Sequence, residues 1–394
     1  MILSGKAWVW GLAAILTVST ARAAEPVRIG ATVSETGHFA TEVGPFRGLF
    51  EAWAEDVNGR GGLRVGSERR PLEITVYDDR SDEASARRMY ERLAVVNRAH
   101  LLFGPYSSPL TFAASTAAEA HGRPFVAICA NSPKIYSRGY QWIACVIDGA
   151  PKYTGRYWEM IRAEGEARTV GFVVEDTLHP RGVHQGAKVL AEEAGLRVKV
   201  ERFAPPDCRD FSSILGELRR LDPDIVFIAA NIPFAVQFMS QAREHGLGPR
   251  EFHAIHHSGI FQKALGPNAE LVTGQSYWTP GMSLGQHGRF LSILERAGIS
   301  LEDYPWAPAY MMAFEVVEAA LAEAGTLEPE ALMQAIRSSE TETIGGTVRF
   351  GPKGVGTINT YPSQIQQGRY EIVWPPDQAT ARHIYPSTEP GGAE

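Results

Sequence analysis

Two adjacent serines, Ser107 and Ser108, stand at a turn from a strand to a helix, where their hydroxyls could hold an oxygen-bearing group. The apolar run Leu101–Phe103 is typical of a buried parallel strand. Apolar residues recur at helical spacing after Pro109, which predicts Ser108 as the N-cap and Pro109 as the first helical residue. The free N–H groups of that helix would suit a carboxylate or a carbonyl oxygen. The alternative is that the serines only cap a surface helix.

Strands and helices alternate along the chain in two successive series. The first runs from the strand Val27–Val33 to the strand Trp142–Val146, and the second from the helix Lys152–Arg162 to the strand near Thr273–Tyr277. The short links predict parallel sheets covered on both faces, and the two series predict two similar α/β lobes. A mixed tail of helices and short strands follows, and residues 375–394 are expected to be a frayed terminus.

The composition bounds the class of protein. The chain has 394 residues, a formal charge of −7 and 44% hydrophobic content, which is ample for two domains of ordinary size. It has no basic stripe, so nucleic acid is not an expected partner. Cys129 and Cys145 lie in apolar runs that favour buried thiols, and with Cys208 they form no metal or redox motif. One disulfide could form, but the pairing stays open.

The N-terminus has the pattern of a secretory signal. Lys6 supplies the positive charge, residues 7–18 the apolar segment, and Ala21–Ala23 the small-x-small cleavage site. We expect cleavage after Ala23. No cysteine lies near the cut, so no lipid anchor is expected, and no later segment is long enough to span a bilayer. The mature protein is expected to be free in an exported compartment such as the periplasm.

Several stretches, in their order and spacing, resemble one known family: IGATVSETGHF, GPFRGLFEAWAEDVNGRGGL, YDDRSD, LLFGPYSSPLT, CANSP with RGYQ, DIVFIAANIP and QAREHGLG. The chain is similar to the periplasmic solute-binding proteins of the leucine/isoleucine/valine (type I) class, which feed ABC importers. The resemblance implies an α/β fold of two Rossmann-like lobes with parallel sheets, joined by three crossover strands. It assigns residues 25–146 and 278–350 to lobe 1 and residues 147–277 and 351–385 to lobe 2, with a flexible tail at 386–394. The implied partners are a small-molecule ligand and the membrane permease subunits of an importer, for a monomeric protein that is not an enzyme and needs no cofactor.

The same resemblance implies ligand-binding residues on both sides of a cleft between the lobes. Lobe 1 would contribute the serine turn and the loop after the following strand, and lobe 2 would contribute the loops after three of its strands. The matching positions are Ser107, Ser108, Ala130 and Asn131 in lobe 1, and His179, Asn231 and either His256 or His257 in lobe 2.

One departure from the family pattern concerns the acid that binds the ammonium group of an amino acid. Histidine or asparagine stands at the matching positions, although Asp148, Asp176 or Glu35 could substitute from nearby loops. An ammonium group buried without a carboxylate is costly. A branched-chain or other amino acid is the family default, and the alternative is an aromatic carboxylate, an amide or a urea-like ligand without an ammonium group. The predicted aromatic walls are Phe39, Tyr106, Trp278 and Tyr310, with a place in the core an equal alternative for Tyr310.

Other chemistry has weak support. The run His253-Ala254-Ile255-His256-His257 could suggest a metal site, but adjacent residues on a strand point to opposite faces, so no metal is predicted. The chain contains no G-x-S-x-G or H-E-x-x-H motif, which argues against a hydrolase. A sensory binding protein of the same fold remains an alternative to a transport protein.

Overall fold

The computed structural model describes residues 25–282 and 287–387. The strands are β1 Val27–Val33, β2 Leu63–Val65, β3 Glu68–Arg70, β4 Leu72–Asp78, β5 Leu101–Phe103, β6 Phe125–Ala127, β7 Ile143–Ile147, β8 Thr169–Glu175, β9 Arg197–Ala204, β10 Ile225–Ala229, β11 Glu251–Ala254, β12 Thr273–Ser276, β13 Glu340–Thr343, β14 Gly346–Arg349, β15 Val355–Ile358, β16 Tyr361–Gln366 and β17 Arg369–Ile372. The predicted signal peptide and residues 388–394 of the predicted tail lie outside the described residues.

The α-helices are α1 Ala40–Val43, α2 Phe46–Gly59, α3 Glu83–Val95, α4 Ser108–Ala120, α5 Pro133–Tyr136, α6 Gly155–Glu164, α7 Leu178–Glu193, α8 Ser212–Leu221, α9 Ile232–Glu244, α10 Gly259–Leu265, α11 His287–Ala297, α12 Ala307–Ala324 and α13 Pro329–Ser338. Short 3₁₀ helices cover Ala150–Lys152 and Gly266–Ala269. Within the described ranges, we find no helix with the length and apolar content needed to cross a membrane.

Two large sheets organise the chain. The first has the strand order β15-β7-β6-β5-β1-β4, with every pairing parallel. The second has the order β17-β16-β12-β11-β10-β8-β9, in which only the pairings of β16 are antiparallel. Parallel order with helices in the connections confirms the predicted α/β class. The carboxyl ends of parallel strands meet at one edge of each sheet, which is where ligands bind in such folds.

The chain passes from one sheet to the other after β7, β12 and β15. Strand β15 pairs with β7 in the first sheet, so the predicted end of lobe 1 at residue 350 is wrong and the last crossing follows Ile358. This strand was not predicted from the sequence because it contains Gly356, and glycine is unfavourable inside a strand. A Cβ atom there would lie 2.3 Å from the Val146 carbonyl oxygen, so the close strand approach requires glycine.

The sequence predicts a helix over Gly182–Glu193, whereas helix α7 begins four residues earlier, at Leu178. Its N-cap is Thr177, and Pro180 is accommodated in the first turn, where its missing N–H has no intrahelical partner to lose. As a result His179 lies in the first turn of a helix, not in the preceding loop. The hairpin β2–β3 and the helix α10 were also not expected from the sequence.

The C-terminal segment packs against the second lobe, so the prediction of fraying from Pro375 is wrong for the described residues. The Thr380 amide donates to Ile372 at 2.8 Å, and the Ser387 amide donates to Arg250 at 2.7 Å. His383 lies 2.7 Å from a Glu251 oxygen that is fully buried, and ion pairing there fixes the segment. The polar composition of the tail concealed this anchor because its partner is a buried acid far away in sequence.

Candidate ligand-binding site

A cleft lies between the two sheets, with a cavity volume of about 30 Å³ and about 520 Å³ of empty space when the open solvent at its mouth is included. The loops and helix starts that line it follow the carboxyl ends of strands from both sheets, as expected for this topology. From the first lobe it is lined by Phe39, Tyr106, Ser107, Ser108, Pro109, Cys129 and Trp306, and from the second lobe and the crossings by Tyr153, Thr177, His179, Pro180, Asn231, His256 and Tyr277.

Three helices begin at the cleft. Their N-cap residues are Ser107 for α4, Thr177 for α7 and Asn231 for α9, and all three line it. None of these side chains makes the usual hydrogen bond to its own helix, so the first-turn N–H groups are not satisfied by a side-chain cap. Each helix start carries a partial positive charge. The starts of α4 and α7 give the cleft a preference for an anionic group, whereas the start of α9 already faces the buried acids Glu175 and Glu42.

The serine turn differs from its predicted geometry by one residue. Ser107, not Ser108, is the N-cap, and Ser108 and Pro109 are the first two helical residues. Ser107 has φ +88° and ψ 148°, a conformation that is rare outside glycine and costs on the order of 1–3 kcal/mol. Its Oγ is buried without a hydrogen-bond partner, whereas Ser108 Oγ accepts a long bond from the Ser132 amide at 3.4 Å. The strain presents an unpaired hydroxyl to the cleft.

Two histidines of the second lobe stack at the cleft wall. The rings of His179 and His256 are 5.1 Å apart and inclined by only 2°. Burial lowers the pKa of His179 to about 4, and burial, followed by the charge of His179, lowers the pKa of His256 well below its ordinary value. Both rings are therefore neutral at pH 7. His179 Nε2 and His256 Nδ1 are buried without a partner.

Asn131 joins the two lobes behind this stack. Its Nδ2 donates to the Asp148 carbonyl at 2.9 Å, and its Oδ1 lies 2.8 Å from His179 Nδ1. Asn131 is fully buried and does not line the cleft, so it acts on any ligand through His179. This contact links the loop after β6 to helix α7 and closes one end of the cleft.

Aromatic rings form most of the remaining wall. Tyr106 packs against Phe39 at 5.8 Å and against Trp306 at 6.1 Å, between ring centroids, while Tyr153 packs against His179 at 5.2 Å and against Tyr277 at 6.3 Å. Sequence reasoning did not select Tyr153, Tyr277, Trp306, Thr177 or Cys129. A usable signal was present for Tyr277, which directly follows β12, and for Thr177, which lies two residues beyond β8, because the carboxyl ends of both strands face the cleft.

Trp278, Tyr310 and Ala130 lie outside the cleft, which corrects their predicted place. Trp278 is fully buried beside His287 and Phe290, whereas its neighbour Tyr277 lines the cleft. Tyr310 packs in the core of the first lobe against Phe46, at 4.7 Å between ring centroids. The Ala130 carbonyl accepts the Tyr136 hydroxyl. Of the other predicted positions, Tyr106, Ser107, Ser108, His179, Asn231 and His256 all line the cleft.

His257 faces away from the cleft, where its Nε2 lies 3.2 Å from Ser363 Oγ, so His256 is the histidine of this pair that a ligand can reach. Within residues 25–282 and 287–387, no group of three or more His, Cys, Asp or Glu residues is arranged to hold a metal ion. All three cysteines are free, so none of the disulfides that the sequence left open forms.

No carboxylate among the described residues lines the cleft. The three acids that the sequence offered as substitutes are held elsewhere: Glu35 pairs with Arg47 at 2.5 Å, Asp176 pairs with Arg181, and Asp148 accepts from the Gly149 amide at 2.7 Å.

Two further acids, Glu42 and Glu175, are fully buried near the junction of the lobes. Glu175 accepts hydrogen bonds from the amide and the side chain of Asn231, at 2.7 and 2.8 Å. Neither Glu42 oxygen has a partner, and burial raises the pKa of Glu42 to about 8. Glu42 is therefore mostly protonated at pH 7 and offers no charge to an ammonium group.

Comparison with known proteins identifies the family. The chain belongs to the periplasmic binding protein family, whose sequence profile matches residues 26–369. A Leu/Ile/Val-binding protein homologue of Brucella abortus is 25% identical over 406 residues, which cover 94% of this chain and 96% of that protein. The family that the sequence motifs predicted is thus confirmed.

Solved structures share the fold. The substrate-binding protein of a branched-chain amino acid transporter from Streptococcus pneumoniae, in complex with isoleucine, has a TM-score of 0.78 at 14% identity and covers 92% of this chain and all of that one. A solute-binding protein from Rhodopseudomonas palustris, in complex with 4-hydroxybenzoate, has a TM-score of 0.76 at 18% identity and covers 91% of this chain and 98% of that one. The same architecture therefore holds an amino acid in one protein and an aromatic acid in another.

Proposed function

We propose that this protein captures a small aromatic carboxylate in the cleft between its lobes and delivers it unchanged to the permease of an ABC importer. The observation that carries the proposal is the combination of the helix N-termini of α4 and α7 with aromatic walls and, among the described residues, no lining carboxylate. The helix starts and the free Ser107 hydroxyl would bind the carboxylate, and the rings of Tyr106, Tyr153, Tyr277 and Trp306 would contact the aromatic body.

The same observation argues against the family default of a branched-chain amino acid. An ammonium group enclosed beside neutral His179 and His256 would lose its water shell without gaining an opposite charge, and an unpaired buried charge costs several kcal/mol. Burial keeps the pKa of Glu42 at about 8, so that acid does not supply the charge. An aliphatic amino acid is the second candidate because relatives of the same fold bind isoleucine.

We further propose that the protein acts in the periplasm as a monomer, after removal of residues 1–23, without a lipid anchor and without turnover of its ligand. Ser107 and Ser108 are the only nucleophilic hydroxyls that the sequence singled out, and no base contacts either of them in the described chain: Ser107 Oγ has no partner and Ser108 Oγ contacts only the Ser132 amide. This arrangement supports binding and not acyl transfer.

A thermal-shift and calorimetric screen of the mature protein tests the proposal. Benzoate, hydroxybenzoates and phenylacetate would be compared with leucine, isoleucine and valine at pH 7. A ligand at 100 times its dissociation constant adds about 2.7 kcal/mol of stability, which is readily measured. We expect an aromatic acid to raise the melting temperature and to be recovered unchanged by chromatography. A shift with leucine, isoleucine or valine alone would overturn the proposed ligand class, and conversion of the ligand would overturn a binding role.

A further inference from the structure

The hydrogen bonds of Asn131 fix the proton on His179. Asn131 Nδ2 faces the Asp148 carbonyl at 2.9 Å, an arrangement that only a donor can satisfy, so the amide oxygen must be the atom that faces His179. That oxygen lies 2.8 Å from His179 Nδ1 and can only accept. Nδ1 therefore carries the proton. In a neutral imidazole the other nitrogen is then an acceptor.

The acceptor on His179 has no donor in the protein. Its Nε2 is buried and unpartnered, and the residue lines the cleft. Leaving a buried acceptor unsatisfied costs about as much as a hydrogen bond contributes, or more. The stacked ring of His256 does not require a donor from the ligand in the same way, because its Nδ1 has no partner that would fix which nitrogen carries the proton. A ligand that completes the site must therefore bring a hydrogen to His179.

We propose that the cleft selects aromatic acids that carry a hydrogen-bond donor, a ring hydroxyl or an N–H group, directed at His179 Nε2, and that Asn131 sets this preference by fixing the tautomer. This inference rests on the proposed function, because it assumes that the ligand is an aromatic acid. Asn131 is a positioning residue here: it touches His179, not the ligand. The link also crosses the lobes, so the acceptor is set only when the cleft is closed.

A set of substituted benzoates separates donor from acceptor at almost constant shape. Isothermal titration at pH 7 would compare benzoate with its 3- and 4-hydroxy, amino and methoxy derivatives. We expect one hydroxy or amino isomer to bind about tenfold more tightly than benzoate, in line with one neutral hydrogen bond to a buried acceptor. The methoxy analogue of that isomer brings only an acceptor and should bind more weakly than benzoate. Equal affinity for the hydroxy and methoxy analogues would overturn the inference while leaving the proposed function intact.

Replacement of His179 tests the assignment of the acceptor. His179→Phe keeps a ring against His256 and Tyr153 but removes the acceptor, so benzoate should still bind and the preference for the hydroxy analogue should vanish. His121→Phe, at an exposed histidine outside the cleft, is the matched control and should keep the preference. A preference that survives in His179→Phe would refute the role of this residue.

The tautomer itself can be read by nitrogen NMR on protein labelled at histidine. We expect His179 to show a protonated Nδ1 and an unprotonated Nε2 in the ligand-bound protein, and Asn131→Leu to lose this fixed pattern together with the preference among benzoates. A protonated Nε2 in the unaltered protein would refute the inference. If no aromatic acid binds, the proposed function fails and the inference fails with it, whereas aromatic acids that bind without a preference for a donor overturn the inference alone.

Discussion

Glu42→Gln is expected to flatten the dependence of stability on pH. Glu42 lies on α1 of the first lobe, fully buried, with neither carboxyl oxygen paired. Burial is the main cause that raises its pKa to about 8, followed by the charge of Glu175, while the Ile232 amide at the start of α9 opposes the rise. Both of these neighbours belong to the second lobe, so the carboxyl is enclosed by the junction of the lobes.

The sign and size of the effect follow from linkage. The native state keeps the Glu42 proton up to about pH 8, whereas the unfolded chain releases it near the ordinary value of 4.5. Stability is therefore fully present below pH 4.5 and is lost as the pH rises through 8. Each pH unit in that window is worth about 1.4 kcal/mol, which gives a total of about 5 kcal/mol. Glutamine stays neutral and removes this loss.

Urea unfolding between pH 5 and 8.5 measures the effect as a difference between the two proteins. His383 also contributes to the slope. Burial lowers its pKa, but the charges and hydrogen bonds of Glu251 and Glu164 outweigh burial and raise the pKa to about 10, so stability falls with rising pH; this contribution cancels in the difference. The difference in free energy of unfolding between Glu42→Gln and the unaltered protein should shift by several kcal/mol in favour of Glu42→Gln as the pH rises from 5 to 8.5. Glu323→Gln, an exposed change of the same charge, is the control. Parallel curves for Glu42→Gln and the unaltered protein would refute the reasoning.

Three further predictions test the cleft and its supports. Ser107→Gly should raise the free energy of unfolding by about 1 kcal/mol, because its φ of +88° suits glycine, while it weakens aromatic-acid binding; a loss of stability would contradict this. His383→Ala should cost about 3–5 kcal/mol in urea unfolding at pH 7, because it leaves Glu251 charged and buried; a cost near zero would contradict this. Trp278→Ala should cost about 3–5 kcal/mol without changing affinity, whereas Tyr277→Ala should weaken binding about tenfold; equal losses of affinity would contradict the assignment of the wall.

The fold could be predicted from the sequence wherever local pattern and tertiary packing agree. Strand β1, which is buried at every position except Arg28, and helix α13, which begins at Pro329, have the bounds that the sequence indicates. Strand β15 could not be predicted, because its glycine is required by a carbonyl on a neighbouring strand more than 200 residues away. The C-terminal segment was misjudged for a similar reason, since the ion pair that holds it depends on the burial of Glu251.

In the site, too, residues marked by a local sequence pattern were predicted, and residues placed by distant contacts were not. The turn at Ser107 and Ser108 was found because a helix start after a strand is a local signal with a known chemical consequence, whereas Asn231 was implied by the resemblance to the family. The choice between Tyr277 and Trp278 was missed because both residues lie beyond the end of β12, where strand alternation no longer decides which side chain faces the cleft. The role of Asn131 was missed because its partner His179 lies in the other lobe, and only the closed arrangement brings the two together.

The contacts that cross the cleft also constrain how binding and closure are coupled. Asn131 meets His179, and Glu42 meets the start of α9, only when the lobes are together. Closure buries an unpaired carboxyl at Glu42 and leaves an unpaired acceptor at His179, so the closed cleft carries polar groups that the protein alone does not satisfy. A ligand that supplies a carboxylate to the helix starts and a donor to His179 removes part of that cost only in the closed state. The ligand therefore favours closure through the difference in its interactions with the two states, which is the condition that any ligand-driven movement must meet.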